Sequence, residues 1–517
     1  MSPGVDPVTL QVLAGALRAV CEEMGAALVR AAHSANIKER RDASTALFDA
    51  AGEMVMQAEH IPVHLGAMPD AVAAVSELEQ SEGDAWILND PYRGGTHLPD
   101  ITVVSPLFAE GRHIGFAAAR AHHADVGGRT PGSMPATSST LDEEGVVIPP
   151  TLLARQGEVD SELLAQLTGR MRQPAQRQAD LRAQLAANRL AAERVAGLVR
   201  THGLDLMLEG MAAVLDYAER RTRAALAAMP DGRYAARDHL EDDLRGPDAL
   251  LEVAASVRIA GDTVAVDFEG TSPQSPGNLN CPLSVTKSAV YYVLRVLTDP
   301  DIPSSAGAYR PVEVTAPPGC LVNAQPPAAV VGGNVETSSR IADVVMAALG
   351  QAVPAPAAGQ GTMNNLTLGT RGFTYYETLG GGQGGCPDAD GPSAVHVAMS
   401  NTLNTPVEAL EREFPLRVTR HAIRRGSGGA GRHRGGDGIV REFEALEPMD
   451  FNLLTDRRRE GPPGTGGGEP GKAGRNVLRR GGDEGETDLP GKAQGHLEPG
   501  DRLRLETPGG GGYGKRT

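Results

Sequence analysis

Aromatic residues are scarce, 3% of 517 positions with a single tryptophan, so the core has to rely on aliphatic packing. Cysteine is scarcer still. Cys21, Cys281, Cys320 and Cys386 stand far apart and form no CxxC pair, which rules against a zinc ribbon or a disulfide framework and fits a reducing compartment. No run approaches the ~18 apolar residues of a membrane span, and Met-Ser-Pro-Gly-Val-Asp-Pro at the N-terminus has no basic stretch leading into an apolar one. The expected address is cytoplasmic, without a membrane partner. Positive charge is also in deficit. A net charge of −16 argues against nucleic acid, which needs a basic stripe. The arginines at 424–441 and 457–459 are embedded in acidic and Gly-rich stretches and read as a solvated face or an anion contact.

Glycine (64) and proline (37) are abundant instead, predicting many turns. Asp6-Pro7 reads as a helix cap followed by Pro at the first helical position. Behind it Leu10, Leu13, Leu17, Val20, Met24, Ala27 and Ala31 recur at steps of three and four, giving one long amphipathic helix. Ser44–Ala50 and Glu53–Gln57 suggest a hairpin about Ala51-Gly52, and Trp86–Leu88, Ile101–Phe108 and Ile114–Ala121 read as strands. A helical zone runs from about Ser161 to Met229 with a break near Thr201-His202-Gly203. Leu251–Ile259 and Thr263–Phe268 alternate as a second hairpin, and helices are expected at about Val285–Leu297 and Ser338–Gly350. The expected class is α+β and multi-domain, a long N-terminal helix and a helical zone packed with mixed or antiparallel sheets. The divisions are 1–230, 231–460 and a Gly/Pro-rich segment at 461–517.

The densest polar constellation is Asn89–Asp100, containing Arg93, His97 and Asp100, followed after one strand pair by His122-His123-Ala124-Asp125. Imidazole and carboxylate ligands must converge with fixed rings, which tight loops and strand ends provide. His97 and Asp100 lie on a loop pinned by Gly94-Gly95 and Pro99. Pairing of the two following strands brings His122 back beside Asp100, while His123 points to the other face. Two imidazoles and a carboxylate suit Mn, Fe or Zn; ordinary hydrogen-bonded histidines near a turn explain the same spacing. Gly466-x4-Gly471-Lys472 nearly matches a phosphate loop, but Ala473 replaces the hydroxyl residue and no strand precedes it. Gly380–Gly385 reads as a close-packed turn or a backbone anion nest, and Gly332–Thr337 as a plain helix cap or an anion site.

Together these segments resemble the hydantoinase B/oxoprolinase family. The resemblance is carried by Asn36–Asp42, Ala46–Asp49, His60-Ile61-Pro62-Val63-His64, Asn89–Asp100, Ala121–Gly128, Pro131-Gly132-Ser133, Gly277–Asn280, Ala316–Gly319, Gly332–Arg340, Leu403–Glu408 and Thr507–Gly514. It implies the B-type subunit of an ATP-dependent cyclic amidase of the N-methylhydantoinase or 5-oxoprolinase type, working in a hetero-oligomer with an A-type ATPase subunit that holds the ATP. It also implies a divalent metal (Mn, Zn or Fe) on His97, Asp100 and His122 and water attacking a ring amide already phosphorylated on oxygen. By their proximity to that cluster, His123 and Asp125 are the candidates to relay the proton. Arg93 is the candidate for the substrate's phosphate or carboxylate, a surface salt bridge being its plain alternative. More distant members of the family are ketone-carboxylase α subunits. An acetone- or acetophenone-type carboxylase and a non-catalytic partner of the A-type subunit are the alternative functions.

Overall fold

Asp6 starts the first helix, Pro7–Ala31, by accepting the Val8 and Thr9 N–H groups on its carboxylate. The buried stripe is Leu10, Leu13, Leu17, Val20, Met24 and Leu28. Leu28, rather than the expected Ala27 and Ala31, completes it, because the larger side chain reaches the sheet beneath. The computed structural model describes residues 5–59, 61–243, 246–483 and 485–516; His60 of the segment quoted above and residues 1–4 fall outside them.

That helix lies on an antiparallel sheet of seven strands: β1 (Ala43–Asp49), β2 (Met54–Glu59), β3 (Ala85–Leu88), β4 (Asp100–Ala109), β5 (Arg112–His122), β6 (Thr151–Arg155) and β7 (Glu158–Val159), in the order β2-β1-β5-β4-β3-β6-β7. Both faces are buried. Leu47, Leu107, Ala117 and Ala121 meet the helices Pro7–Ala31, Pro174–His202 and Leu204–Ala227. Their neighbours Phe48, Phe116 and Ala118 meet the helix Ala67–Ser76 from the other side. This follows from the two-residue period of a strand. The β4–β5 register places Asp100 directly opposite His122.

The helical zone is three helices, Ser161–Gly169, Pro174–His202 and Leu204–Ala227, the last two divided at Gly203 (φ +84°). Beyond it a four-stranded sheet (Gly232–Asp243, Gly246–Ala260, Thr263–Asp267, Val312–Thr315) is covered by the helices Leu283–Leu297 and Ser338–Leu349. The first of these strands has no counterpart in the sequence reading. Residues 365–506 form a four-stranded and a five-stranded sheet sharing one core of Leu366, Tyr375, Phe443, Phe451 and Leu503. Strands at Arg475–Arg479, Lys492–Leu497 and Arg502–Glu506 are built into these sheets beside Gly438–Ala445 and Met449–Leu454.

The Gly-rich stretches form a bundle of extended segments in which backbone packs directly on backbone. Gly510, Gly511 and Gly512 donate their N–H groups to three different neighbours, the carbonyls of Gly436, Ala358 and Glu469. Successive donors turning to successive neighbours is the threefold geometry of a polyproline-II path. Gly381, Gly382, Gln383 and Gly385 donate to the carbonyls of Val395, Pro508, Pro392 and Gly511, so the N–H groups expected of an anion nest at 380–385 are largely consumed within the bundle. The near-match to a phosphate loop is consumed likewise, since Gly471 donates to Pro462 and Lys472 to Ser427.

Candidate metal centre

The loop Asn89–Pro99 is held from beneath. Asn89 Nδ2 donates to the Leu98 and Val146 carbonyls, and Arg120, buried on β5, donates to the Gly94 carbonyl at 2.7 Å and to Thr102 Oγ1 at 2.7 Å. Gly94 is obligatory here: its φ is +92°, and a Cβ would lie 2.5 Å from the backbone of Asp70 and Ala71. The loop ends in a turn closed by Asp100 N–H on the His97 carbonyl at 3.0 Å.

This turn and the end of β5 bring His97, Asp100 and His122 together, one ligand atom from each lying within 4.8 Å of the others. His97 Nδ1 is 3.0 Å from Asp100 Oδ2, and His122 Nδ1 is 3.4 Å from Asp100 Oδ1. Thr96 Oγ1 donates to Asp100 Oδ2 at 2.5 Å. A third imidazole, His64, stands with Nε2 3.5 Å from the same oxygen while Ser44 Oγ holds its Nδ1 at 2.9 Å. The His122 ring stacks on Tyr376 (centroids 4.6 Å apart, planes 6° from parallel). Its backbone is fixed by the Asp42 carbonyl and by Asn36 Nδ2. Arg40, fully buried, underlies Tyr376 and donates to the Tyr376 carbonyl and to Thr378 and Thr402 Oγ1.

The electrostatics suit a cation. Burial alone would raise the Asp100 carboxyl, but attraction to His97 and hydrogen bonds from His122, His64 and His97 outweigh it and hold it well below the usual carboxylate range. Burial pushes His122 down, against the pull of Asp100 and Asp42. An ionised carboxylate beside an imidazole pushed toward its neutral form, His122, is a protonation pattern that suits metal ligation. The Nε2 atoms of His97 and His122 are buried without a hydrogen-bond partner, and both residues line a void of about 20 Å³. Unsatisfied buried nitrogens are costly, and a cation in the void satisfies them. The residues fit the metal.

The remaining site residues lie elsewhere. His123 faces the opposite side of the sheet, its Nε2 2.9 Å from Gln184 Oε1 on the helix Pro174–His202, and burial drives it down to about 4. Asp125 is a clasp: its carboxylate accepts from the N–H groups of Gly127, Gly132 and Arg172 and from the Arg172 guanidinium at 2.8 Å. Arg93 is largely exposed, 4.0 Å from Asp90, on a separate cleft of about 660 Å³. Two residues facing the cluster, His64 and Asp42, fall in segments quoted for the resemblance, but no spacing tied them to His97. Tyr376 and Asn334 reach it from distant parts of the chain. Asn334 stands in a π-helical turn, Gly333–Thr337, and lines the void with its Oδ1 buried and unpartnered. The backbone N–H groups of Gly333 and Asn334, read as a candidate anion site, are taken by the Asn278 and Val330 carbonyls.

Just before the segment that lines the void, His396 has its Nδ1 2.5 Å from Ser400 Oγ. Burial, and then the Arg40 charge, push it down to about 3. The unfolded chain therefore binds that proton more readily. Its contribution to stability is complete above about pH 6.5 and is lost as pH falls toward 3, with a slope of at most about 1.4 kcal/mol per pH unit. His396→Gln is expected to flatten this limb in denaturation curves recorded between about pH 4 and 7.

A family model described as hydantoinase B/oxoprolinase matches residues 6–516. The chain is 39% identical to 5-oxoprolinase 1 of Arabidopsis thaliana over 535 residues, covering 98% of this chain and 42% of the plant protein. It thus spans less than half of that relative's length. A putative B-type subunit of a D-/L-hydantoinase from Pseudomonas sp. (strain NS671) is 32% identical over 534 residues, with 99% of this chain and 90% of that one covered. Among solved structures, the ATP-dependent caprolactamase of Pseudomonas jessenii matches with a TM-score of 0.92 at 30% identity, over 99% of this chain and 91% of that one.

Proposed function

This chain belongs to the hydantoinase B/oxoprolinase family, and we propose that within it the chain is the hydrolytic B-type subunit of an ATP-dependent cyclic amidase. The carrying observation is the buried His97–Asp100–His122 cluster with its unpartnered nitrogens. The names of the relatives support the substrate class: one is a 5-oxoprolinase, one a component of a hydantoinase, and one an ATP-dependent caprolactamase. The plant 5-oxoprolinase is more than twice as long as the portion matched here. The Pseudomonas relative is named as a subunit, which supports a reading in which a separate ATPase subunit carries out the activating half of the reaction.

An unactivated ring amide is a poor electrophile, and phosphorylation of its oxygen by the partner supplies the missing reactivity. A divalent cation (Mn, Zn or Fe) on His97, Asp100 and His122 would supply positive charge to an attacking water and to the oxygen gaining charge. The chain's own groups do the rest. Thr96 and His64 fix the Asp100 carboxylate, and Tyr376 fixes the His122 ring. Asn334 offers an amide at the opposite wall for the reacting oxygen or nitrogen. Burial of the whole cluster excludes bulk water and strengthens each of these interactions. His123, through Gln184, and Asp125, through its loop, act as positioning groups. Arg93 is placed to meet an anionic partner or ligand at its own cleft. The test is co-expression with an A-type ATPase subunit, followed by assay of 5-oxoproline, hydantoin and caprolactam for ring opening and phosphate release. ATP-dependent opening of one of them is expected. A metal-loaded, assembled complex that opens none overturns the reading.

A further inference from the structure

The void at the metal cluster, about 20 Å³, accommodates a water or an ion and no organic ring. A second cavity of about 430 Å³ has the size of an ordinary small-molecule site, and one thin partition separates the two. Val397 and Ala398 line the large cavity, while the next four residues, Met399–Thr402, line the void. Across from them Gly361 lines the cavity and Met363 the void.

We propose that the large cavity is the receiving site for the ring amide and that residues 397–402 are the gate through which the ring, once its oxygen is phosphorylated, reaches the metal cluster. The walls of the cavity match that ligand. Tyr292, Val296, Met346 and Val397 form an apolar side suited to ring methylenes. Asp343 and Arg457 form a polar side suited to the N–C–O edge. Arg457 is 3% exposed and its Nε is buried without a partner, leaving a donor for the amide oxygen. Asp343, whose Oδ2 is paired with Arg340 at 3.5 Å and Arg457 at 3.3 Å, leaves its Oδ1 as an acceptor for the amide nitrogen. The partition itself is held by contacts that can be released singly: Ser400 on His396, and Thr402 on Arg40 and Thr378. Ala394 and Ala398 adopt φ of +59° and +52°, a left-handed backbone that non-glycine residues avoid, just before the gate and at its start. The inference rests on the metal-cluster reading for its destination, but binding in the cavity can be measured without turnover.

Ala347 lines this cavity from an exposed position on the helix Ser338–Leu349, so Ala347→Trp fills it with little disturbance of the core. In the metal-loaded protein, calorimetric binding of 5-oxoproline, hydantoin and caprolactam without ATP is expected for at least one ring, and Ala347→Trp is expected to weaken it about tenfold or more. In the ATP-coupled assay the same variant should raise KM by a similar factor with kcat and metal content unchanged. Ala347→Leu, read by the same measurements, covers the case in which tryptophan unfolds the helix. If wild type binds no ring, or if both variants bind and turn over as wild type does, the receiving site is wrong. Binding that is lost in the variant while wild type hydrolyses nothing supports the cavity and overturns the hydrolytic function instead.

Discussion

His97→Ala is expected to release the bound divalent cation and to lower ring-opening turnover by on the order of a thousandfold or more, while the protein stays folded. The magnitude follows from the several kcal/mol of charge stabilisation that a metal supplies to a developing oxyanion, each 1.36 kcal/mol being about tenfold in rate. Folding should survive because His97 sits on a loop whose anchors are other residues, Asn89, Gly94 and Arg120. Removing the imidazole also removes a buried nitrogen that has no partner. Elemental analysis and steady-state rates decide the matter. A variant that keeps both its metal and its turnover shows that His97 is not a ligand. One that keeps its metal but loses turnover moves His97 from ligation to contact with substrate.

The largest expected loss of stability comes from a residue with no side chain. A Cβ on Gly384 would stand 1.9 Å from the Ala357 carbonyl oxygen. That atom is backbone, so no rotamer change relieves the clash. Gly384→Ala should therefore cost about 3 kcal/mol or more, at or beyond the upper end for overpacking. Gly169→Ala is the control. Nothing lies within 4 Å of its Cβ position at the end of the helix Ser161–Gly169, and it should be neutral or stabilising by up to about 1 kcal/mol. Parallel chemical denaturation separates the two. Equal midpoints would mean that the Gly-rich segments pack far more loosely than their backbone spacing requires.

The cluster of His97, Asp100 and His122 was legible in the sequence because its geometry is local. His97 and Asp100 share a four-residue turn, and His122 returns by a single strand pairing whose register follows from two apolar runs of similar length. Alternation of side chains also separated His123 from His122. What reaches the cluster across the chain was not legible: Tyr376, Asn334 and the segment 397–402 come from elements whose docking depends on the whole fold. The first helix, the hairpin β1–β2 and the helical zone announced themselves through period and capping. The strand Gly232–Asp243 and those between 475 and 497 did not, since charged residues interrupt their alternation. The Gly-rich segments looked like isolated turns because each bonds to a different distant neighbour.

That last property has a consequence in time. Gly510, Gly511 and Gly512 join segments near residues 436, 358 and 469, all of which precede them in the chain. At translation rates of about 5–20 residues per second, Ala358 waits on the order of 10 s or longer for Gly511 to be made. Throughout that interval the peptide groups that residues 510–512 will meet, at 436, 358 and 469, stay unpaired. Closure of this part of the molecule thus waits until residues 510–512 have been made, and a nascent chain stalled before residue 510 keeps it open to chaperones and proteases.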